Sequence, residues 1–261
     1  MRQTAVESVT VGGAAVIATA NEYPAHLEFP EHRHARAQLL YASRGVVTVN
    51  TPAGSWVMPP QRAVWLPPDT PHSARTNGRV SMRSIYIAPE LAATLDHPGT
   101  CCVVEVSELL RALLRASADM PLTYPEHSRY GRIAQLMLDE LNFNQITPLN
   151  APLPQHPKLR AICADIMRRP GQRVSIDDVA DRMGVSRSSL TRLFRTETGL
   201  SFGIWLQQAR MLEALRNIAD GQPLAHVALD CGFANQSAFT TCFRKILGMP
   251  PSQYFASTLE S

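Results

Sequence analysis

Ser175-Ile-Asp-Asp-Val-Ala-Asp-Arg-Met-Gly-Val-Ser-Arg-Ser-Ser-Leu-Thr-Arg-Leu-Phe-Arg195 decides how the second half of this 261-residue chain is read. Ser175 with Asp178 three residues on forms a capping box, so a helix starts there. Val179, Ala180 and Met183 make its inward stripe. Gly184 can take the left-handed conformation that ends a helix, and Ser186 can cap the next one. In that second helix Leu190, Leu193 and Phe194 point inward. Arg187, Ser188, Thr191, Arg192 and Arg195 are left outward, a polar and basic face that suits a major groove.

The pattern recurs. Val179-Ala180 matches Val227-Ala228, and Gly184 matches Gly232, at an offset of 48 residues. Leu190 and Phe239, Phe194 and Phe243, Arg195 and Arg244, and Gly199 and Gly248 match at an offset of 49. One residue inserted between turn and helix accounts for the change. The second outward face is then Asn235, Gln236, Ser237, Thr240, Thr241 and Arg244. Between the copies, Phe202 to Asp220 reads as a helix about 28 Å long. Successive major-groove faces lie about 34 Å apart, so both helices can face one side of a duplex.

Everything after Lys158 has helical periodicity, and this part carries 13 Lys/Arg against 9 Asp/Glu, or +4. Residues 1–157 carry 12 against 13, or −1, within a total of +3. A basic second half agrees with a phosphate-binding face, as it does with an ordinary solvated surface. Ahead of it, residues 147–157 hold four prolines, which block helix and sheet alike, and read as a stiff linker.

Residues 14–90 look β-rich. Short runs such as Gln38-Leu-Leu-Tyr-Ala42 and Val46-Val-Thr-Val49 are separated by turn signals, which suggests a sandwich or small barrel. From Ser107 the period becomes helical, giving helices over roughly 107–118 and 126–143. The expected organisation is a β-rich domain over 1–100, a helical segment over 101–146, the linker over 147–157, and a helical domain over 158–261 that carries the two groove-facing helices. Five cysteines without CxxC spacing argue against a disulfide framework or a cysteine zinc site, and for reduced thiols in a cytoplasmic protein. The run Val11–Ala20 reads as a strand rather than a signal peptide. No stretch of 18 apolar residues occurs, so no membrane partner is expected.

The C-terminal motifs identify the chain as resembling the AraC/XylS family of transcription regulators. They are Met183-Gly-Val-Ser186, Leu190-Thr-Arg-Leu-Phe-Arg195, Gly199-x-Ser-Phe202, Arg210-Met-x-x-Ala214, Val227-Ala-x-x-Cys-Gly-Phe233, Ser237-x-Phe239-x3-Phe243-Arg-Lys245 and Gly248-x-x-Pro251-x-x-Tyr254. Phe255 stands where that family commonly has arginine. The resemblance implies a double-stranded DNA operator as partner. It further implies base contacts from Ser188, Thr191 and Arg192 in the first copy, and from Gln236, Ser237 and Thr241 in the second. Arg192 is the strongest candidate for direct readout, since a guanidinium pairs bidentately with guanine. Arg195 and Arg244, lower on their helices, suit phosphates. For any single arginine a surface ion pair is the plain alternative, and for Ser237 or Thr241, packing.

In the β-rich region stand His32-Arg-His34-x3-Gln38-x6-Gly45 and Pro67-Pro-Asp-Thr-Pro-His72. On a strand His32 and His34 share a face, and a hairpin could bring His72 beside them. Three imidazoles with Gln38 as a weak fourth ligand could hold a divalent transition metal. The arrangement resembles the two cupin motifs, with Gln38 in place of the usual glutamate and Asp69 in place of a glycine. Losing the carboxylate removes a negative charge and should lower metal affinity. The histidines could equally line an organic-effector pocket or be structural, and Trp56, Trp65, Tyr41 and Arg36 could line the same barrel.

The fold class expected is therefore an N-terminal all-β cupin barrel with a helical dimerisation segment, then an all-α domain with tandem helix-turn-helix units. The function expected is a sequence-specific, effector- or metal-responsive regulator acting as a homodimer. A similar subgroup of cupin-bearing regulators often represses a neighbouring transporter gene. The competing class is a metal-dependent cupin enzyme with a DNA-binding appendage, against which no acid/base pair or substrate motif accompanies the histidines.

Overall fold

The computed structural model describes residues 13–143, 146, 147 and 149–256, which fall into two compact units. The first holds the chain up to Val49 and from Met58 to Thr147; the second holds Asn50–Val57 with the chain from Leu149 to Tyr254. Val11, Gly12 and Pro148 of the segments discussed above lie outside the described residues.

The first unit is built on antiparallel strands β1 (Val16–Tyr23), β2 (Glu28–His32), β3 (Ala37–Thr51), β5 (Arg62–Leu66), β6 (His72–Ile87), β7 (Cys102–Glu105) and β8 (Ile146–Thr147); β4 (Gly54–Met58) intervenes in the chain. The sheet runs β1-β6-β3-β5-β7-β8, with β2 also on β6. Besides β3, the long β6 serves two more partners. Its first residues pair with β2, where His72 faces His32, and its later ones pair with β1 from Val80 to Ile87. The barrel expected from the sequence is not closed: among the described residues the ladder is a path with two ends.

Period-two alternation sends each strand's side chains to two different places. Ala37, Leu39 and Tyr41 of β3, Trp65 of β5, and Ile85 and Ile87 of β6 enter one hydrophobic cluster. Helices α2 (Glu108–Ala116) and α3 (Arg129–Asp139) cover it through Leu110, Leu113, Leu114, Ile133 and Met137. Gln38 and Leu40 of β3 and Met82, Ser84 and Tyr86 of β6 face the other way and line a cavity. In the chain, a short helix α1 (Pro89–Ala92) and strand β7 lie between β6 and α2. Strand β7 corrects the expectation that residues 101–146 are helical. Its Cys102, Val103 and Val104 are buried against β5, a run too short to show a period in the sequence.

The second unit contains β9 (Asn150–Pro152) and helices α4 (Pro157–Arg168), α5 (Ile176–Met183), α6 (Arg187–Thr198), α7 (Phe202–Ala219), α8 (Leu224–Asp230), α9 (Gln236–Leu247) and α10 (Pro251–Ala256). Strand β9 lies inside the proline-rich segment read as a linker. Gly54, Ser55 and Trp56 of β4 pair with Pro152, Ala151 and Asn150, and Leu149 and Ala151 are fully buried. Proline lacks a donor but keeps its carbonyl, and Trp205 Nε1 donates to Pro152 O at 2.8 Å. No helix among the described residues is long and apolar enough to cross a membrane.

Candidate functional site

Two matched helix pairs organise the helical unit. Ser175 caps α5, and the reciprocal bond from Asp178 completes the capping box. Gly184 ends α5 at φ 75°, and Gly232, 48 residues on, has φ 77° in the corresponding turn after α8. Both α6 and α9 are 12 residues long. Ser186 and Asn235 cap their N-termini, and Gly199 and Gly248 end them in the left-handed conformation. Leu190 and Phe194 in α6, and Phe239 and Phe243 in α9, are fully buried. These anchors fix the rotation of each helix and hence the face turned to solvent.

On α6 that face carries Arg187, Ser188, Thr191, Arg192 and Arg195, all exposed, which line one shallow groove with Ser186. On α9, Gln236, Ser237, Thr240, Thr241 and Arg244 line another with Lys245. Lys245 is a cation that the sequence reading left out, although it directly follows Arg244. Asn235 departs from the expected arrangement. Its backbone is extended and its side-chain oxygen accepts from Ala238 N at 2.9 Å, so it is the cap before the helix, not a member of its outward face. Arg187 is tied to Asp177 at 3.2 Å, and Thr191 Oγ1 donates to Arg187 O. Arg192, Arg195 and Arg244 make no ion pair among the described residues, so they carry positive charge outward.

The second constellation lies in the sheet unit. Only His32 belongs to β2; His34 lies beyond the strand end, so strand alternation is not what brings the two together. His32 faces His72 across the β2–β6 ladder beside a register shift, and the chain then turns His34 back towards both. The ring centroids are 4.3 Å apart for His32 and His72, 5.2 Å for His34 and His72 and 6.1 Å for His32 and His34. One ligand nitrogen from each lies within 4.8 Å of the others. Asp69 adopts φ 55°, which explains why a glycine suits that position in the motif it resembles; Asp tolerates it better than most residues.

Each Nδ1 meets a backbone carbonyl: His32 meets Pro30 O at 2.9 Å, His34 meets Arg36 O at 2.7 Å and His72 meets Thr70 O at 2.8 Å. A carbonyl only accepts, so each Nδ1 carries a proton, and a ring with no second proton has its lone pair on Nε2. Burial pushes the His34 pKa down and that of His72 down to about 4, which keeps both neutral. Gln38 Nε2 donates to Tyr86 OH at 3.0 Å and Ser84 Oγ at 3.3 Å, which turns Oε1 towards His34 Nε2, also at 3.3 Å. Two lone-pair atoms thus face each other, an arrangement that a cation relieves. With the amide turned over, Nε2 would donate to His34 instead, so the same side chain also serves the metal-free pocket. The donor set therefore fits a divalent transition metal.

The rest of the cavity differs from the sequence reading. Trp65 and Tyr41 belong to the helix-covered cluster, Trp56 lies on β4, and Arg36 donates to Ala14 O and Ala15 O. None of the four lines the cavity. Thr19, Asn21 and Tyr23 of β1, Phe29 of β2, and Met82, Ser84 and Tyr86 of β6 do. Their alternation with core residues was the available signal, but it needs the β1–β6 pairing to be read.

A sheet unit with a histidine-lined cavity, followed by a helical unit that exposes an arginine-bearing helix after a capped turn, defines a class: DNA-binding transcription regulators. The comparisons agree. A model of helix-turn-helix domains matches residues 179–257, and a model of AraC-like ligand binding domains matches 13–144. The chain is 33% identical to the HTH-type transcriptional regulator NimR of Escherichia coli over 230 residues, 88% of this chain and 83% of that protein. It is 28% identical to the multiple antibiotic resistance protein MarA of Escherichia coli over 88 residues, 33% of this chain and 69% of that one. Among solved structures, ToxT from Vibrio cholerae is 12% identical with a TM-score of 0.40, covering 95% of this chain and 99% of that one. The chain belongs to the AraC/XylS family of transcription regulators.

Proposed function

We propose that α6 and α9 form tandem helix-turn-helix readers of one operator and that the sheet unit, an open cupin-like sheet, controls them by binding a metal or a small effector. The observation that carries this is the matched pair of capped, 12-residue helices whose buried aromatic and leucine anchors leave polar faces outward. Ser188, Thr191 and Arg192, with Gln236, Ser237 and Thr241, read bases; Arg195 and Arg244 hold phosphates, and Arg187 joins them when it releases Asp177. Helix α7, at 18 residues, is about 27 Å long, close to the spacing of major-groove faces. Helices α2 and α3 present Leu109 and Leu136, half exposed, and are the segment through which a cytoplasmic homodimer would form.

In the pocket, His32, His34 and His72 would hold the metal through Nε2, with Gln38 Oε1 as fourth donor. Bound there, a divalent ion would supply positive charge that a ligand can recognise. The site is read as regulatory rather than catalytic, because among the described residues no carboxylate lines it to serve as acid or base. Selection of DNA from a random pool by the full-length protein tests the reading. The expected product is a site with two conserved blocks for each protomer, bound with an affinity that changes when Zn2+ is added or chelated. A single short block with affinity indifferent to metal and to small ligands would point to one reader and constitutive binding. Repression of a neighbouring transporter gene is the regulatory outcome the subgroup resemblance favours, and the genes beside the selected sites test it.

A further inference from the structure

The donor set of the pocket is neutral throughout: three imidazoles and an amide. Where a carboxylate in place of Gln38 would leave a divalent ion at +1, this set leaves it at +2. Nothing around the pocket makes up the difference. Among the described residues, the lining contains no Asp or Glu. The acids nearest in sequence are turned elsewhere: Glu22 accepts from Ser81 and faces Arg83, Glu28 faces Arg75, and Glu31 and Asp69 are exposed. A doubly charged ion without a counter-charge is costly in a buried cavity. The converse also holds. Among the described residues the lining contains no Arg or Lys either, so an anion entering the cavity meets no cation there except a bound metal.

We infer that the pocket takes its divalent metal and a small carboxylate together, each weakly bound without the other. The inference rests on the metal reading of the same site. The carboxylate supplies the charge that Gln38 withholds, and its apolar remainder meets Leu40, Met82, Ala74 and Phe29. The space limits its size. The cavity is small, which suits a short-chain acid. Such a site reports the coincidence of metal and anion rather than either alone.

Titration calorimetry of the full-length protein with Zn2+, at pH 6.5 in perchlorate salt with and without 20 mM acetate (about these values), tests this. At that pH a zinc-bound water largely keeps its proton, so hydroxide does not substitute for acetate. The expected result is Zn2+ affinity at least about tenfold tighter with acetate, no acetate binding without Zn2+, and no Zn2+ binding by His72→Ala. Gln38→Glu should bind Zn2+ tightly and ignore acetate; the wild-type comparison stands even if that variant folds poorly. Equal Zn2+ affinity with and without acetate would overturn the inference and leave the metal site standing. Acetate binding as tight without Zn2+ as with it would overturn it in favour of a metal-free effector pocket. No Zn2+ binding by wild type or Gln38→Glu in either condition would remove the metal site as well.

Discussion

Replacing Arg192 by alanine separates base reading from charge. Arg192 is exposed on α6 and makes no ion pair among the described residues, so its loss removes no internal partner. Folding stability should shift by no more than about 0.5 kcal/mol, as for ordinary surface substitutions. A bidentate contact to guanine discriminates by about 1–3 kcal/mol, which is roughly 5- to 160-fold in affinity. Arg192→Ala should therefore lose most of its affinity for the selected operator, and mutation of one particular base pair should then cost nothing further. Arg195→Ala should behave differently. If Arg195 holds a phosphate, its loss weakens all sequences alike and lowers the slope of log K against log salt by about 0.9. Arg187→Ala should do least, because Arg187 is already engaged by Asp177 at 3.2 Å. Fluorescence anisotropy on the operator and its single-base variants, between about 50 and 200 mM salt, reads all three. Uniform weakening by Arg192→Ala across every variant, with a reduced salt slope, would refute the assignment of α6's reading face.

Three further outcomes concern stability. A Cβ at Gly171 would lie 1.8 Å from Asp230 O, a backbone atom that cannot step aside, so Gly171→Ala should cost about 3 kcal/mol or more and lower the melting temperature of the helical unit. Trp205→Phe removes the donor to Pro152 O and should cost about 1–2 kcal/mol in urea denaturation, since the carbonyl sits in a largely buried segment. His72 titrates at about 4 when folded and near 6.5 when unfolded, so its contribution to stability is present above pH 6.5 and is lost as pH falls through 4. The urea midpoint of the sheet unit should therefore drop over that window, and His72→Gln should flatten the drop.

The helical unit was largely legible in the sequence because its signals are local. Ser175 with Asp178, Ser186, Gly184 and Gly199 act within a few residues of where they stand, and each occupies the capping role its chemistry suggests. The repeat extended that legibility to α8 and α9. It misplaced only Asn235, because a cap and a first-turn residue differ by one position and both are polar. The cavity was less legible because it depends on partners far apart in the chain. Ser84 and Tyr86 orient Gln38 only because β3 and β6 are neighbours, 46 and 48 residues apart at these contacts. Tyr41 and Trp65 looked equally able to line it until the cover of α2 and α3 assigned their side of the sheet to the core. Strand β9 was hidden by Pro152, whose carbonyl accepts a bond that a count of missing donors overlooks.

Hydroxyl-radical footprinting and methylation interference on the selected operator test the tandem reading most directly. Two adjacent major-groove segments on one face of the duplex, about 10 base pairs apart for each protomer, are expected. Thr241→Ala should weaken only the segment read by α9, and Arg192→Ala only the other. One protected segment per protomer, unchanged by substitutions on α9, would contradict it.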